Sequence, residues 1–385
     1  MMDGALSGIK VLDFSTLLPG PLATLFLADA GAEVVKVENP ARGDEMRHYS
    51  PRCGEDSGNF HLLNRGKKSV AVDLKSPEGK ESLTALLKQA DILVEQFRPG
   101  VMARLGLGYD DVRAINPAII YCSITGYGQT GNMRRAAGHD LNYQAMTGLL
   151  ALSHGPQSAP VVPPALIADV AGGTYPALVN ILTALYRRAR TGEGAYLDIA
   201  MAESLFPFTY WAMADGKFGG AWPGNGDALV TGGTCRYRLY PTADDRLVAA
   251  APIEQAFWER FCEAIGLEPA LRDDTVDPDA TLAQINALIR SQTAEHWQAV
   301  FSEADCCCTV VATLEEALED PHFAERAVFS RKIALPDGKS ESALPLPLAT
   351  GLRATPSDMP HAPRLGENMS GPAPLSFAKT EEHEG

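Results

Sequence analysis

Residues 9–37 read IKVLDFSTLLPGPLATLFLADAGAEVVKV, and their pattern predicts the fold class. Two short apolar runs rich in β-branched residues, 9–14 and 32–37, are typical of buried strands. An apolar helix is predicted between them, because Pro21 suits a first helical turn and Gly31 can end the helix in the left-handed conformation. Strand, helix and strand within about 30 residues form a βαβ unit, which requires parallel pairing with a right-handed crossover.

The same alternation continues through the first half of the chain. Further strands are predicted at 69–73, 91–94, 118–124 and 195–199, with helices at 77–89 and 175–189. Short strands alternating with helices predict an open α/β sheet. The first strand is not followed by GxGxxG, so an interpretation as a nicotinamide or flavin enzyme lacks its phosphate-binding turn.

The second half of the chain has a different composition. Residues 216–233 are rich in glycine and are predicted to be a linker. The pattern beyond them predicts a smaller α+β domain reaching about residue 330, with strands near 236–240 and 246–251 and helices near 255–265 and 282–290. The tail from Pro356 is rich in Pro, Gly and Glu and is predicted to be extended or partly disordered.

Composition excludes several classes of protein. The chain has 385 residues, 45% hydrophobic and 21% charged, which is typical of a globular protein of two or three domains. Its formal net charge of −15 argues against sequence-independent binding to DNA or an acidic membrane. The apolar N-terminal stretch is interrupted by Pro19-Gly20-Pro21 and preceded by Asp13, which argues against a signal peptide or a membrane span.

The cysteines favour a reducing compartment. They number seven, an odd count, and no CxxC spacing occurs, so a disulfide framework is not expected and the cytoplasm fits best. The run Cys306-Cys307-Cys308 lacks metal-ligand spacing, and no metal site is predicted there.

Gly138-His139-Asp140 is the first candidate for chemistry. A single histidine in a sequence is more often a structural hydrogen-bonding residue than a catalyst. A neighbouring carboxylate, however, can hold one tautomer or move the imidazole pKa toward the working pH. Both roles stay open for His139.

Two acidic residues are further candidates. Asp169 follows four apolar residues and precedes Gly172-Gly173, so it is either a helix N-cap or a partly desolvated nucleophile or base. Glu254 opens a predicted helix of the second domain, where a glutamate usually serves only to favour the helix dipole. A catalytic role would require Glu254 to meet the histidine across a domain boundary.

Basic residues are clustered in an otherwise acidic chain. They are Arg65, Lys67, Lys68, Lys75, Arg98 and Arg104. Together they could hold phosphates, with Leu74 or Phe97 packed against an aromatic base. Taken one at a time, such residues are more often simply solvated.

Several motifs together resemble the family III CoA-transferase superfamily, which includes formyl-CoA and carnitine CoA-transferases and α-methylacyl-CoA racemases. The resemblance covers about residues 7–370. The matching segments are VLDF (11–14), PGP (19–21), ADAGAEV (28–34), NRGKKS (64–69), DLK (73–75), EQFRPG (95–100), TGEG (191–194) and PRLG (363–366).

The resemblance implies an architecture. It consists of a large Rossmann-like α/β domain with a parallel sheet (1–200, completed by 331–372), a linker (201–233), a small α+β domain (234–330) and a tail (373–385). It also implies an interlocked homodimer in which each subunit threads through the other.

The resemblance also implies a CoA site. Its residues carry over to Leu74, Lys75, Gln96, Phe97, Arg98 and Arg104, and Asp140 is expected to contribute. The family often has Asn where Gln96 stands, and it has a basic residue near Asn39 for which Arg42 could substitute.

Two reactions occur within this superfamily. Transferases use the aspartate matching Asp169 as a nucleophile, which gives an acyl–aspartyl anhydride and free CoA. Racemases use it as a base opposite a histidine matching His139, which a glutamate matching Glu254 supports. An enolate is then reprotonated on the opposite face.

The motifs favour the racemase branch. GHDLNY (138–143), IADVAGG (167–173), IEQAF (253–257), and DCCC (305–308) followed by PHF (321–323) all look like racemase sequences. QAMTG (144–148) resembles transferases and keeps that alternative open.

The predicted role is therefore that of a cytoplasmic enzyme of lipid metabolism with an acyl-CoA thioester as substrate. No permanently bound cofactor and no nucleic-acid or membrane partner are expected. A non-catalytic CoA-ester-binding protein is the alternative from another class.

Overall fold

The structure is a computed structural model that describes residues 4–355, 358–369 and 375–377. They form two compact units. The first holds the described residues of Met1–Thr147, Ala165–Phe206 and Ala324–Gly385, and the second holds Gly148–Pro164 and Pro207–Phe323. The predicted tail, 373–385, lies outside the described residues except for 375–377, where Phe377 is buried against the core of the first unit.

A parallel sheet forms the centre of the first unit. The strands up to residue 200 are β1 (Lys10–Asp13), β2 (Glu33–Glu38), β3 (Arg52–Cys53), β4 (Asp56–Ser57), β5 (Lys68–Ala71), β6 (Ile92–Glu95), β7 (Ile120–Thr125) and β8 (Ala195–Ala200). Six of them pair in the order β5-β2-β1-β6-β7-β8, every pair parallel, and β3 and β4 form a separate hairpin. The predicted α/β class is confirmed.

Helices connect these strands. They are α1 (Pro19–Asp29), α2 (Gly58–Asn64), α3 (Pro77–Gln89), α4 (Val101–Arg104), α5 (Tyr109–Ile115), α6 (Asp140–Met146), α7 (Ile167–Asp169) and α8 (Tyr175–Thr191). Helix α3 has the predicted bounds, because Ser76 caps it by accepting from the Gly79 amide at 2.9 Å and Pro77 takes its first position. Helix α1 begins two residues before Pro21, because the Leu22 amide already donates to the Leu18 carbonyl at 2.9 Å.

The second unit is built on an antiparallel sheet. Strands β9 (Arg238–Pro241), β10 (Leu247–Ala250) and β11 (Cys308–Val310) pair in the order β11-β10-β9. Trp258, Phe261, Trp297 and Phe301 are buried in the hydrophobic core of this unit. The predicted α+β character of this part is confirmed.

The helices from residue 207 onward differ in part from the prediction. They are α9 (Tyr210–Ala214), α10 (Gln255–Ile265), α11 (Pro278–Arg290), α12 (Ala294–Ala304), α13 (Leu314–Glu319) and α14 (Pro321–Glu325). Helix α11 begins four residues before the predicted position 282, because Asp277 caps it by accepting from the Ala280 amide at 2.9 Å. Helix α12 was not predicted.

The glycine-rich segment is more ordered than a plain linker. It contains helical turns at Asp215–Gly219 and Leu229–Thr231. The Gly226 amide donates to the Leu152 carbonyl at 2.9 Å, which joins this segment to residues 148–164 within the second unit.

The remaining regular structure lies near the chain end and in short turns. Strands β12 (Lys332–Ala334) and β13 (Ser340–Ser342) form a hairpin in the first unit. Short 3₁₀ segments lie at Glu45–His48, Leu150–Leu152, Glu203–Thr209, Pro269–Leu271 and Thr350–Leu352. Within the described ranges, no helix is both long enough and apolar enough to cross a lipid bilayer.

Candidate active site

A cavity of about 190 Å³ lies in the first unit, at the carboxyl edge of its sheet. Chain segments that follow β1, β6 and β7 line it. Because all six strands are parallel, their carboxyl ends share one edge, and the strand order reverses between β1 and β6. A crevice opens at such a reversal, which is where open α/β sheets bind their ligands.

His139 and Asp169 line this same cavity although they are far apart in sequence. His139 is the exposed residue that precedes α6, and its backbone N–H donates to Asn142 Oδ1 at 2.9 Å. Asp169 is half-buried at the end of α7, and its side chain makes no capping hydrogen bond. Asp169 therefore stands at the start of the following helical turn without capping it through its side chain, and the residue lines the cavity.

Asp140 fixes the position of Asp169. The Asp140 side chain is buried, and its Oδ1 accepts from the backbone N–H groups of Ala168 at 2.6 Å and Asp169 at 3.0 Å. Its Oδ2 accepts from Gln144 Nε2 at 2.6 Å. Both oxygens are thus engaged by the protein's own donors. This geometry favours a positioning role for Asp140 over the direct CoA contact expected from the sequence.

The surroundings of Asp169 alter its acidity. Burial raises the pKa of the Asp169 carboxyl to about 6, and the negative charge of Asp140 acts in the same direction. The nearby His139 opposes the increase in pKa. A carboxyl with this pKa holds or releases a proton near neutral pH, as a general acid–base group requires.

Tyr143 also lines the cavity and was not singled out from the sequence. Its hydroxyl donates to the Gly138 carbonyl at 2.6 Å. Burial raises the pKa of Tyr143 to about 12, with a further contribution from the Asp169 charge. Gly126 and Gly138, which pack against Tyr143, were the sequence feature that could have pointed to this residue. A Cβ would lie 2.5 Å from the Tyr143 hydroxyl at Gly126 and 2.8 Å from the Tyr143 ring at Gly138.

The Gly172-Gly173 pair allows close packing behind Asp169. A π-helical turn, Val170–Thr174, follows α7 directly, and such turns are frequent at functional sites. A Cβ at Gly172 would lie 2.6 Å from the Met201 carbonyl oxygen. Glycine therefore lets this turn pack against the end of β8.

A buried ion pair holds the cavity wall that follows β1. Leu17 lines the cavity with a left-handed φ of 63°, which is rare for a residue with a bulky side chain. Its N–H donates to Asp44 Oδ1 at 3.0 Å. Lys36 Nζ contacts Asp44 at 2.9 Å and donates to the Ser15 carbonyl at 2.7 Å. The loop after β1 is thus held by Asp44 at the Leu17 amide and by Lys36 at the Ser15 carbonyl.

The predicted CoA residues are only partly brought together. Gln96, Phe97 and Arg98 line the cavity, and Gln96 Oε1 also accepts from the Gly20 amide at 3.1 Å. Leu74 packs against the same core cluster as Phe97. The side chains of Lys75, Arg104 and Arg42 are exposed and do not line this cavity.

Three of the clustered basic residues have a structural role instead. Arg65 pairs with Asp29 at 3.0 Å, buried Lys67 pairs with Asp13 at 3.2 Å, and Lys68 pairs with Glu33. The charges of Arg65 and Lys67 are thus paired in the interior, and that of Lys68 is paired at a partly exposed position. These ion pairs favour a structural role over phosphate binding, both of which the sequence left open.

Glu254 lies in the second unit, immediately before α10. It is exposed, and its side chain does not cap the helix. Its supporting role toward a histidine remains a prediction. Among the residues that the structure describes, no three or more His, Cys, Asp or Glu side chains are grouped so as to hold a metal ion.

Comparisons with known proteins agree on one family. The model of CoA-transferase family III matches residues 6–369. The chain is 34% identical over 371 residues to alpha-methylacyl-CoA racemase of Homo sapiens, spanning 94% of this chain and 91% of that protein. It is 30% identical over 380 residues to acetyl-CoA:oxalate CoA-transferase of Acetobacter aceti, spanning 94% of each. A crystal structure of a CAIB/BAIF family protein from Brucella suis superposes with a TM-score of 0.80 at 27% identity, covering 95% of this chain and 97% of that one.

Proposed function

The chain belongs to CoA-transferase family III, and from that premise we propose that it is a 2-methylacyl-CoA racemase. The substrate class is an acyl-CoA thioester with a hydrogen on its α-carbon. One observation carries the proposal: an imidazole, His139, and a carboxylate with a pKa of about 6, Asp169, line one cavity. Inversion at carbon requires two acid–base groups, one for each face.

The proposed reaction has two proton transfers. The carboxylate of Asp169 removes the α-proton of one enantiomer, and the C–H electron pair moves into the thioester to give an enolate. Protonated His139 then delivers a proton to the opposite face of the same carbon, and the electron pair returns to form the new C–H bond. The opposite enantiomer reacts with the two roles exchanged.

The other residues support these steps. Asp140 holds the backbone of Asp169 in place, and its charge helps keep the Asp169 pKa near neutrality. Gln96, Phe97 and Arg98 are proposed to contact the CoA portion in the cavity. Leu74, Lys75, Arg104 and Arg42 lie outside the cavity lining and are proposed, from the family resemblance, to contact the part of CoA that extends beyond it. Glu254 is proposed to support His139, as implied by the racemase-like motif IEQAF.

A family III CoA-transferase is the second candidate. A transferase relative matches 94% of this chain, and a carboxylate that lines the cavity, as Asp169 does, is also what nucleophilic attack would require. Asp169 would attack the thioester carbonyl and release CoA thiolate, forming a mixed anhydride. A second carboxylate would attack the acyl carbon and displace the Asp169 carboxylate, which gives a free mixed anhydride. The CoA thiolate would then attack the carbonyl carbon that came from the second carboxylate, forming the new thioester and releasing the first acid as a carboxylate.

We also propose that the protein is a homodimer of the cytoplasm. Helix α8 presents an apolar face to solvent: Tyr175, Val179, Leu182 and Tyr186 are all exposed. An unpaired apolar face of this kind marks an association surface. All seven cysteines are free, as expected in a reducing compartment.

Isotope exchange tests the reaction. A single enantiomer of a 2-methylacyl-CoA is incubated with the protein in deuterated water, and we expect α-deuteration together with inversion. Asp169→Asn should reduce both rates by at least about a hundredfold, the usual contribution of a general acid–base group. Absence of exchange in the wild type would refute the racemase proposal.

A trapping experiment distinguishes the transferase. Hydroxylamine added after the acyl-CoA converts an acyl–aspartyl anhydride at Asp169 into a hydroxamate, which intact-protein mass spectrometry detects. Trapping without exchange would establish the second candidate. The matched control is Asp198→Asn, a carboxylate near the sheet edge that does not line the cavity.

A further inference from the structure

Glu95 is a buried acid next to the cavity that the proposed reaction does not use. It is the last residue of β6 and is 4% exposed, and the segment that follows it lines the cavity. Asp13 and Glu38, the buried acids that end β1 and β2, contact a lysine and an arginine, whereas the hydrogen-bond partners of Glu95 are neutral. Burying a carboxyl group among neutral partners is costly, and sites that carry such a cost are commonly functional.

The two carboxyl oxygens of Glu95 join the cavity wall to the sheet. Oε2 accepts from the backbone N–H of Phe97 at 2.8 Å. Oε1 accepts from the hydroxyl of buried Ser123, which is the residue paired with Glu95 on the neighbouring strand β7. The carboxyl group is therefore fixed by β7 on one side, and it holds the Phe97 amide on the other.

The Phe97 amide depends on this contact. Phe97 is half-buried, with its side chain packed against the hydrophobic core of the first unit. Its N–H lies beyond the end of β6, and the Glu95 carboxyl group is its acceptor. A donor left unpaired at a position withdrawn from water is costly. Removing the acceptor is therefore expected to displace Phe97 together with Arg98, the next cavity-lining residue.

We propose that Glu95 is a positioning residue of this site. Through its hydrogen bonds to the Phe97 amide and to Ser123, it fixes the part of the cavity wall that Phe97 and Arg98 form. It thereby determines the affinity for the CoA part of the ester and takes no part in the proton transfers. The statement about CoA rests on the function proposed above, whereas the statement about the wall does not.

The hydrogen bonds, and not the negative charge, are the basis of this role. Burial raises the pKa of the Glu95 carboxyl to about 7, so both protonation states occur near neutral pH. The protonated form keeps both contacts, because its carbonyl oxygen accepts from the Phe97 amide and its hydroxyl donates to Ser123. A glutamine offers the same acceptor and donor without a charge.

Two substitutions of similar size test the assignment. Glu95→Gln keeps an acceptor and a donor, whereas Glu95→Met has similar length and offers neither of comparable strength. In Glu95→Met, we expect KM for the CoA ester and Kd for free CoA, measured by calorimetry, to rise at least tenfold. We expect kcat to change less than twofold, because a contact made equally in the ground state and the transition state affects KM alone. Glu95→Gln should keep all three constants within threefold of the wild type.

Hydrogen exchange reports on the wall itself. In a peptide spanning 94–104, amide exchange should be at least tenfold faster in Glu95→Met and should stay within threefold of the wild type in Glu95→Gln. Ser123→Ala removes the contact with β7 but leaves the Phe97 amide its acceptor, so it should give an intermediate increase. The matched control is Glu81→Met, at an exposed acid of α3 outside the cavity lining, and it should match the wild type in binding and in exchange.

Two results would overturn the proposal. One is a Glu95→Met variant with the KM and the amide exchange of the wild type. The other is equal impairment of Glu95→Met and Glu95→Gln, which would make the charge the important property. If urea unfolding shows that Glu95→Met does not fold, Ser123→Ala decides: faster exchange over 94–104 supports the proposal, and unchanged exchange overturns it.

Failure of the proposed function gives a different result. A wild type that does not exchange the α-proton of a 2-methylacyl-CoA would refute the racemase function. The binding of free CoA and the amide exchange over 94–104 do not depend on the reaction, so they still decide the role of Glu95.

Discussion

At the residue scale, two neighbouring acids determine the chemistry of the cavity. Asp140 accepts backbone hydrogen bonds from the segment that carries Asp169, so it places a second negative charge beside that carboxylate. Burial together with this charge gives Asp169 a pKa of about 6. The contact between the Asp140 carboxylate and the backbone of Asp169 therefore fixes the position of Asp169 and also raises the pKa of its carboxyl.

Replacing Asp140 by Asn separates these two effects. The amide oxygen still accepts the two backbone hydrogen bonds, but the negative charge is lost, so the pKa of Asp169 should decrease. In the direction where Asp169 is the base, kcat/KM of the wild type should rise with pH through about 6. The Asn variant should show this rise at lower pH.

The measurement is a pH–rate profile of α-proton exchange. Asp198→Asn removes a charge outside the cavity lining and should leave the profile unchanged. A profile of Asp140→Asn identical to that of the wild type would show that Asp140 does not influence Asp169.

At the element scale, the start of α1 is packed tightly against the ends of two strands. Gly20 donates to Gln96 Oε1, which links the segment after β1 to the segment after β6. A Cβ at Gly20 would lie 2.2 Å from Ser15 Cβ and 3.0 Å from Gln96 Oε1. Both segments line the cavity, so a displacement at the start of α1 is expected to change the shape of the cavity.

Gly20→Ala should therefore impair binding. The methyl group displaces the Ser15 loop, and we expect a loss of stability of about 1–3 kcal/mol and at least a tenfold increase in KM for the CoA ester. Urea unfolding and steady-state kinetics measure the two effects. Gly351→Ala is the control, because an added Cβ there meets no atom within 4 Å. Equal KM values for the two variants would contradict the coupling.

At the scale of the whole molecule, the apolar face of α8 is exposed on the single chain. Val179 is 63% exposed and Tyr186 is 69% exposed on the same helix. Apolar residues spaced along one helical face are normally covered by packing. A second copy of the chain is the proposed cover.

Val179→Glu tests this association. A charge in a desolvated interface is costly, so the variant should sediment at 41.2 kDa where the wild type sediments at twice that mass. Val276→Glu, at a valine of the second unit that is 76% exposed, should leave the mass unchanged. A wild type that sediments as a monomer would refute the proposed dimer.

Local sequence patterns were sufficient for the elements of the sheet. The β-branched runs before and after α1 and the Ser76-Pro77 helix start were predicted because propensity, capping and periodicity depend on near neighbours. Helix α12 was not predicted, although Trp297 and Phe301 one turn apart are buried on one face. Family-specific motifs then pointed to the cavity residues.

The sequence by itself determined the alternation of strands and helices and the parallel α/β class, because these depend on local periodicity and on the rule of right-handed crossovers. The strand order, and with it the cavity beside the reversal between β1 and β6, came from the tertiary structure. Only the tertiary structure decided which charges are used internally. Lys67 is buried against Asp13, whereas Asp140 is turned toward the backbone of Asp169. His139 and Asp169, thirty positions apart in the chain, line one cavity. The physical reason is that hydrogen bonds and ion pairs form between groups that are close in space. Groups far apart in the sequence can be close in space, and the sequence spacing alone does not show which of them are.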